Sequence, residues 1–173
     1  MANDNDNSFP AIQDFYEEDF AWCYGCGRLN NQGHHFQTRW NQEETLTQYH
    51  PLPEHIAIPG FVYGGLLASL LDCHSTGSAA LALYRQMGHE PGDKEPVPRC
   101  VTASLKVDYL KPTPLGTTLS VRGHIISVGT RKVVVHSELY AEDDLCVRSE
   151  AVAVVAPDTM TLHTADSNKR DQY

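Results

Sequence analysis

The sequence predicts an α+β chain in which one antiparallel sheet wraps round one long central helix. Three observations predict it. Gly64 to about Met87 is the single long helix-favouring stretch, rich in alanine and leucine and followed by Gly88 as a stop. Four segments after it carry strand patterns in a meander, and two more strands precede it. A sheet and a helix that each carry apolar surface bury it best against one another.

In chain order, residues 1-13 read as a flexible N-terminal arm. The stretch DFYEEDFAW, 14–22, suits a short helix with acids in its first turn. CYGCGRLNNQG is a turn-rich knuckle. HHFQTRW and TLTQYH read as two strands joined near Asn41-Gln42, and PLPEHIAIPG, with three prolines, as a loop. After the helix, GHEPGDKEPVP must be a loop. VTASLKVDY alternates, with Val101, Ala103, Leu105, Val107 and Tyr109 expected on one face and Thr102, Ser104, Lys106 and Asp108 on the other. TLSVRGHIISV, KVVVHSELYA and CVRSEAVAVV complete the meander, separated by Gly129-Thr130 and Glu142-Asp143-Asp144. The body of the domain therefore spans 14-156, and 157-173 is a polar C-terminal tail.

Composition narrows the function. The chain has 173 residues, suited to one domain, and 41% of them are hydrophobic. A net charge of −9 argues against a nucleic-acid partner, since no broad face can offer phosphates a positive field. The start MANDNDNSFP has neither a basic region nor an apolar core, and the longest apolar-rich run, Leu66 to Leu71, is far short of a membrane span. Five cysteines without a secretory leader read as reduced thiols, so the expected location is cytoplasmic and no membrane partner is expected.

GFVYGGLLASLLDCHST, 60–76, holds the candidate chemistry. The first turn of a helix carries unpaired N–H groups and a partial positive charge, and glycines let a ligand approach them. Gly64 and Gly65 could therefore form an oxyanion hole for acyl transfer, or simply ease a tight entry into the helix. Asp72 sits in an apolar stretch, where a carboxylate is costly unless partnered. Its plainer reading is a place on a solvated stripe with Ser69 and Ser75. Gly65 and Asp72 are two helical turns apart, about 10 Å along the axis, whereas a base acts within ~3 Å of its target. One chain cannot easily apply both to one carbonyl, but two antiparallel copies of the helix can. If the pair is a site, it requires a homodimer, or a dimer of such dimers, with shared sites.

At these residues the chain resembles the hotdog-fold acyl-CoA thioesterases of the phenylacetate-pathway (PaaI-like) type and their thioesterase-superfamily relatives. Tyr63-Gly64-Gly65, with Asp72 nine positions after Tyr63, is similar to the family's His-Gly-Gly helix entry and its acid. VTASLKVDYLKPTPLG, 101–116, resembles the family's strand and Pro-x-x-x-Gly turn, with Thr102 at the position of an assisting hydroxyl. CYGCGRLNNQGHHF resembles a knuckle found before the first strand in a subset of members. The resemblance covers about residues 22 to 156. It implies thioester hydrolysis with no metal and no redox cofactor. The carbonyl would bind backbone N–H of Gly65 and Gly64, Asp72 of the partner chain would act as base or nucleophile, and Thr102 would orient the water or the carboxylate.

Two positions depart from the family pattern. Tyr63 replaces the histidine; it still offers a hydrogen-bond donor to substrate but no base at neutral pH. Ala57 stands where a polar residue is usual. Both keep alive a second reading, a non-hydrolytic acyl-CoA binding protein on the same fold. A dehydratase or hydratase wants a histidine with its acid, and the helix entry lacks one.

Elsewhere, Cys23-x-x-Cys26 with His34-His35 invites zinc, but no second CxxC exists, and adjacent histidines on a strand point to opposite faces. A buried turn is the better reading, and no metal is expected. Arg131 and Lys132 follow Gly129-Thr130 in a hairpin, where the resemblance implies binding of the coenzyme A phosphates; basic residues in an exposed turn are the plain alternative. Lys111 is a weaker candidate, and His74, His124 and His136 read as structural or solvent-facing.

Overall fold

A computed structural model describes residues 9–161, so most of the expected arm and tail lies outside the described residues. Two strands, β1 (Thr38–Asn41) and β2 (Glu44–Tyr49), precede helix α1 (Gly64–Gln86). Strands β3 (Cys100–Tyr109), β4 (Leu119–Val128), β5 (Lys132–Ala141) and β6 (Asp144–Val155) follow, and a one-turn helix α2 (Asp158–Thr161) closes the described chain. The strands form one antiparallel sheet of order β1-β2-β4-β5-β6-β3. The sheet curls round α1 in the hotdog arrangement.

Helix α1 ends as its sequence demands. Gly88 takes a left-handed φ of +87°, its N–H bonds to the Arg85 carbonyl at 3.0 Å, and the His89 N–H reaches the Tyr84 carbonyl at 3.0 Å. This is a Schellman stop. By length and composition alone the helix could cross a bilayer, yet 83% of its most apolar window is buried within the fold. Leu66, Leu67, Leu70 and Leu71 pack on Val121, Leu139 and Val147, while Ala79 to Tyr84 pack on Val133, Val135 and Ala153.

Between these apolar halves runs a buried polar belt. His74 Nδ1 meets the Thr47 hydroxyl at 2.8 Å, the Thr45 and Ser78 hydroxyls meet at 2.6 Å, and Thr38 bonds to Thr47 and Gln13. Gly123 makes room for it, because a Cβ there would collide with the His74 and Thr45 side chains. His74 is thus a satisfied structural histidine, as its sequence position suggested.

Several local expectations change. The stretch 14–22 is not one helix but part of two 3₁₀ turns, Ile12–Phe15 and Glu18–Phe20. Ala11, Ile12 and Gln13 are buried, so the end of the expected arm docks on the core. Strand β1 starts at Thr38, and His35 lies before it with a left-handed φ of 55°. The alternation in β3 breaks at Ala103, where a bulge lets Thr102 pair with Ala153 and Ser104 with Val152. Directly opposed residues share a face of the sheet. Thr102 therefore lies on the helix-facing side with Leu105, Val107 and Tyr109, not opposite them, while Ala103 is exposed.

Burial, aided by nearby His124, pushes the His74 pKa down from 6.5 to about 3. Holding this ring neutral stabilises the fold fully above about pH 6.5, and the contribution is lost as pH falls towards 3. Thermal midpoints should drop through that window, and His74→Gln should flatten the slope. An equal slope in the variant would remove His74 as the cause.

Candidate active site

Two groups of predicted residues are placed by α1. At its start, Tyr63 is the extended cap residue and Gly64 and Gly65 form the first turn, whose N–H groups have no intrahelical acceptor. The Tyr109 hydroxyl donates to the Gly64 carbonyl at 2.8 Å, tying the end of β3 to the helix entry. A Cβ on Gly65 would run into the Tyr63 ring, and one on Gly64 would press on the Tyr109 ring at 3.3 Å. The glycines thus serve packing as well as access. Beside them opens a pocket of about 360 Å³ lined by Val62, Gly64, Leu67, Tyr109, Leu110 and Lys111, among others. The alternation pattern places Tyr109 on one face with Leu105 and Val107; its exposed ring and its bond to Gly64 are not visible in that pattern. Lys111 is engaged by Asp144 at 2.5 Å.

Two turns along the helix, Asp72 is half-buried and accepts a hydrogen bond at Oδ1 from the Thr102 hydroxyl. The β3 bulge makes this contact, because without it Thr102 would face away. Gly65, Ala68, Ser69 and Asp72 form one incompletely covered stripe on an otherwise buried helix. Ser75, expected on that stripe, is instead buried. The helix is unbroken between Gly65 and Asp72, so the separation of about 10 Å holds within one chain.

Arg131 and Lys132 are exposed in the β4–β5 hairpin, which the Gly129 N–H closes on the Lys132 carbonyl at 2.7 Å. Among the described residues neither cation forms an ion pair. Lys132 pairs with Val154, and Val154 with Val101, so the hairpin lies two strands across the sheet from Thr102, about 10 Å away. It lies towards the C-terminal half of the helix, where Val128 and Val133 pack with Ala79 to Tyr84, not at the glycine end. Of the remaining histidines, His136 is paired with Glu150 at 3.3 Å and His124 is exposed.

The cysteine knuckle departs furthest from expectation. His34 packs among Tyr24, Phe36, Tyr49 and His55, not on the thiols. Cys73, the neighbour of Asp72 on α1, instead joins Cys23 and Cys26. Facing the thiols of Cys26 and Cys73 and the N–H groups of Cys26 and Gly25, the Cys23 thiol is held far below its usual range. The Cys26 thiol is pushed up to about 11, first by Cys23. No spacing rule links residue 73 to residues 23 and 26; only the fold does.

A single antiparallel sheet curled round one long helix defines a hotdog protein. The chain belongs to the thioesterase superfamily, whose family model matches residues 59–147, just over half of its length. It is 29% identical over 106 residues to the acyl-coenzyme A thioesterase THEM4 of Xenopus laevis, covering 61% of this chain and 41% of that protein. To mouse THEM4 it is 30% identical over 97 residues, covering 56% and 36%. The chain thus spans about two-fifths of these curated relatives. Among solved structures, a thioesterase superfamily protein from Shewanella loihica shares 47% identity and a TM-score of 0.59, over 70% of this chain and 91% of that one. A Streptococcus mutans protein bound to acetyl CoA shares the fold at 18% identity and a TM-score of 0.56, over 70% and 88%.

Packing of Tyr63 over Gly65 makes a signed prediction. Gly65→Ala should destabilise the native chain despite alanine's better helix propensity, and should become neutral or stabilising in a Tyr63→Ala background. Urea unfolding of the four proteins measures this coupling; additive effects would mean that the ring gives way freely.

Proposed function

We propose that this chain hydrolyses acyl-CoA thioesters, with each site shared between two copies. The observation that carries the reading is the Thr102 hydroxyl donating to Asp72 on the open stripe of α1. A carboxylate accepting such a bond is held in one orientation, and its second oxygen can accept from a water. In the reaction, Asp72 takes a proton from water as the oxygen attacks the thioester carbon. The oxyanion is held by the Gly65 N–H of the other copy, assisted by Gly64, and its collapse expels coenzyme A as a thiolate, which recovers the proton. Asp72 attacking directly, to give an anhydride that water then opens, uses the same groups. The pocket beside Gly64 offers Val62, Leu67 and Leu110 to an acyl chain, Tyr63 next to Gly64 offers substrate a hydroxyl, and Arg131 and Lys132 suit the coenzyme phosphates.

A homodimer, or a dimer of dimers, is supported by two uncovered surfaces. One is the stripe on α1. The other is β3, a ten-residue edge strand that is largely exposed, and long edges of this kind are normally covered. The names of the THEM4 relatives support the acyl-CoA substrate class, and the helix entry supports the PaaI-like subtype. Five unpaired thiols suit a reducing, cytoplasmic setting. The second reading, binding without hydrolysis, draws on the Tyr63 ring, which crowds the approach to Gly65.

A panel of acyl-CoA thioesters with a thiol-detecting assay tests the activity. Asp72→Asn should lose on the order of a hundredfold or more in kcat while still binding substrate, and Thr102→Val should lose less. Gel filtration and circular dichroism must first show both folded. A folded Asp72→Asn protein with full activity would sink the mechanism, whereas a parent that binds but never hydrolyses would establish the second reading. Mixing folded Gly65→Pro and Asp72→Ala chains should regenerate up to one working site per mixed dimer; no recovery after proven subunit exchange refutes sharing. Charge reversal at Arg131 and Lys132 should raise KM with little change in kcat. Unchanged KM would remove the hairpin from the site.

A further inference from the structure

We propose that Cys23, Cys26 and Cys73 form a zinc site that clamps the N-terminal knuckle to helix α1, one residue from Asp72. The three sulfurs lie within 4.8 Å of one another, with Cys23 and Cys73 at 3.9 Å. Three zinc–sulfur bonds of about 2.3 Å at tetrahedral angles put sulfurs about 3.8 Å apart. A disulfide needs about 2.05 Å and pairs two thiols, leaving the third without a role. The Cys23–Cys73 separation therefore matches two sulfurs around an ion, and Cys26 lies close enough to complete the set.

The surrounding backbone is shaped for the same purpose. The knuckle Cys23-Tyr24-Gly25-Cys26-Gly27 folds so that the Gly27 N–H reaches the Cys23 carbonyl at 2.7 Å, while the N–H groups of Gly25 and Cys26 face the Cys23 sulfur. Such donors stabilise a thiolate ligand. Gly25 cannot be replaced without loss, because a Cβ there would occupy the Cys73 sulfur; at Gly27 a Cβ would sit 2.5 Å from the Ala21 carbonyl oxygen and the Cys23 nitrogen.

Charge is matched as well. Zinc with three thiolates carries one net negative charge, and each thiol that binds gives its proton to solvent. Arg99 lies near the cluster, with Tyr16 and then the three cysteines as the groups that favour its charge, and its Nη1 has no hydrogen-bond partner. The guanidinium is half-buried over the Tyr16 ring, 4.8 Å from its centroid, and an anionic cluster nearby offsets part of the cost of burying its charge. Cys26 and Cys73 are buried and Cys23 is partly exposed, so the fourth tetrahedral position is taken by water on the Cys23 side.

The inference does not depend on thioester hydrolysis, and metal content tests it separately from activity. The full chain, reduced and dialysed against zinc chloride and then metal-free buffer, should retain about one zinc per chain by plasma mass spectrometry. Cys23→Ser, Cys26→Ser and Cys73→Ser should each lose it, and Cys100→Ser and Cys146→Ser should keep it. In the unmutated protein, a chelator should lower the thermal midpoint and make three further thiols reactive, a readout that holds even if a variant fails to fold. Retention of less than a tenth of an equivalent of zinc would overturn the proposal. So would loss of two thiols to a Cys23–Cys73 or Cys23–Cys26 disulfide in air with no metal bound, or a site that takes copper(I) and refuses zinc.

Discussion

Everything in this chain is arranged round the need to bury a 23-residue apolar helix against a single sheet. The six-stranded sheet stays open, with β1 and β3 as its unpaired edges. The curl covers most of α1 and stops short at β3, leaving one stripe of the helix only partly shielded. That uncovered stripe is where the polar side chain of Asp72 is tolerated. The same geometry that leaves a gap in the burial thus sets where the candidate site lies.

The interior is not uniformly apolar, and this has a structural logic. His74, Thr45, Thr47, Ser78, Thr38 and Gln13 satisfy one another across the centre of the helix–sheet interface. Directional bonds of this kind fix the axial position of α1 against the strands, which two greasy patches alone would fix loosely. The distance between the glycine entry and Asp72 is a property of the helix. The distance from Asp72 to Thr102 depends on register, and register is what the belt holds.

The sequence made the architecture legible because helix and strand periods differ and because Gly88 and the hairpin turns mark boundaries. The strand–helix–meander order, the helix start and its stop all followed from local pattern. Asp72 was legible as a candidate from its apolar setting, but Thr102 only from the family resemblance, which implied a hydroxyl orienting the water or the carboxylate; strict alternation alone assigned Thr102 to the wrong face. A one-residue bulge carries no compositional signature in VTASLKVDY. The short acidic stretch before the knuckle looked helical because acids favour first turns, yet tertiary packing broke it into two 3₁₀ turns. The thiol cluster was hidden for a different reason: two ligands sit in one knuckle and the third lies fifty residues away on a helix whose pattern reads only as core.

The bulge at Ala103 also governs how relatives should be compared. Counting from the start of β3 and counting back from the Pro112 turn assign opposite faces to the residues on either side of Ala103. A relative lacking the extra residue would present its hydroxyl from a position that a gap-free alignment anchored on the Pro112 turn matches to Ala103. Inventories of catalytic positions compiled by column would then record a missing group where only the phase of the strand has changed. For this fold, equivalence is better assigned by the cross-strand partner, here Ala153 for Thr102, than by residue number.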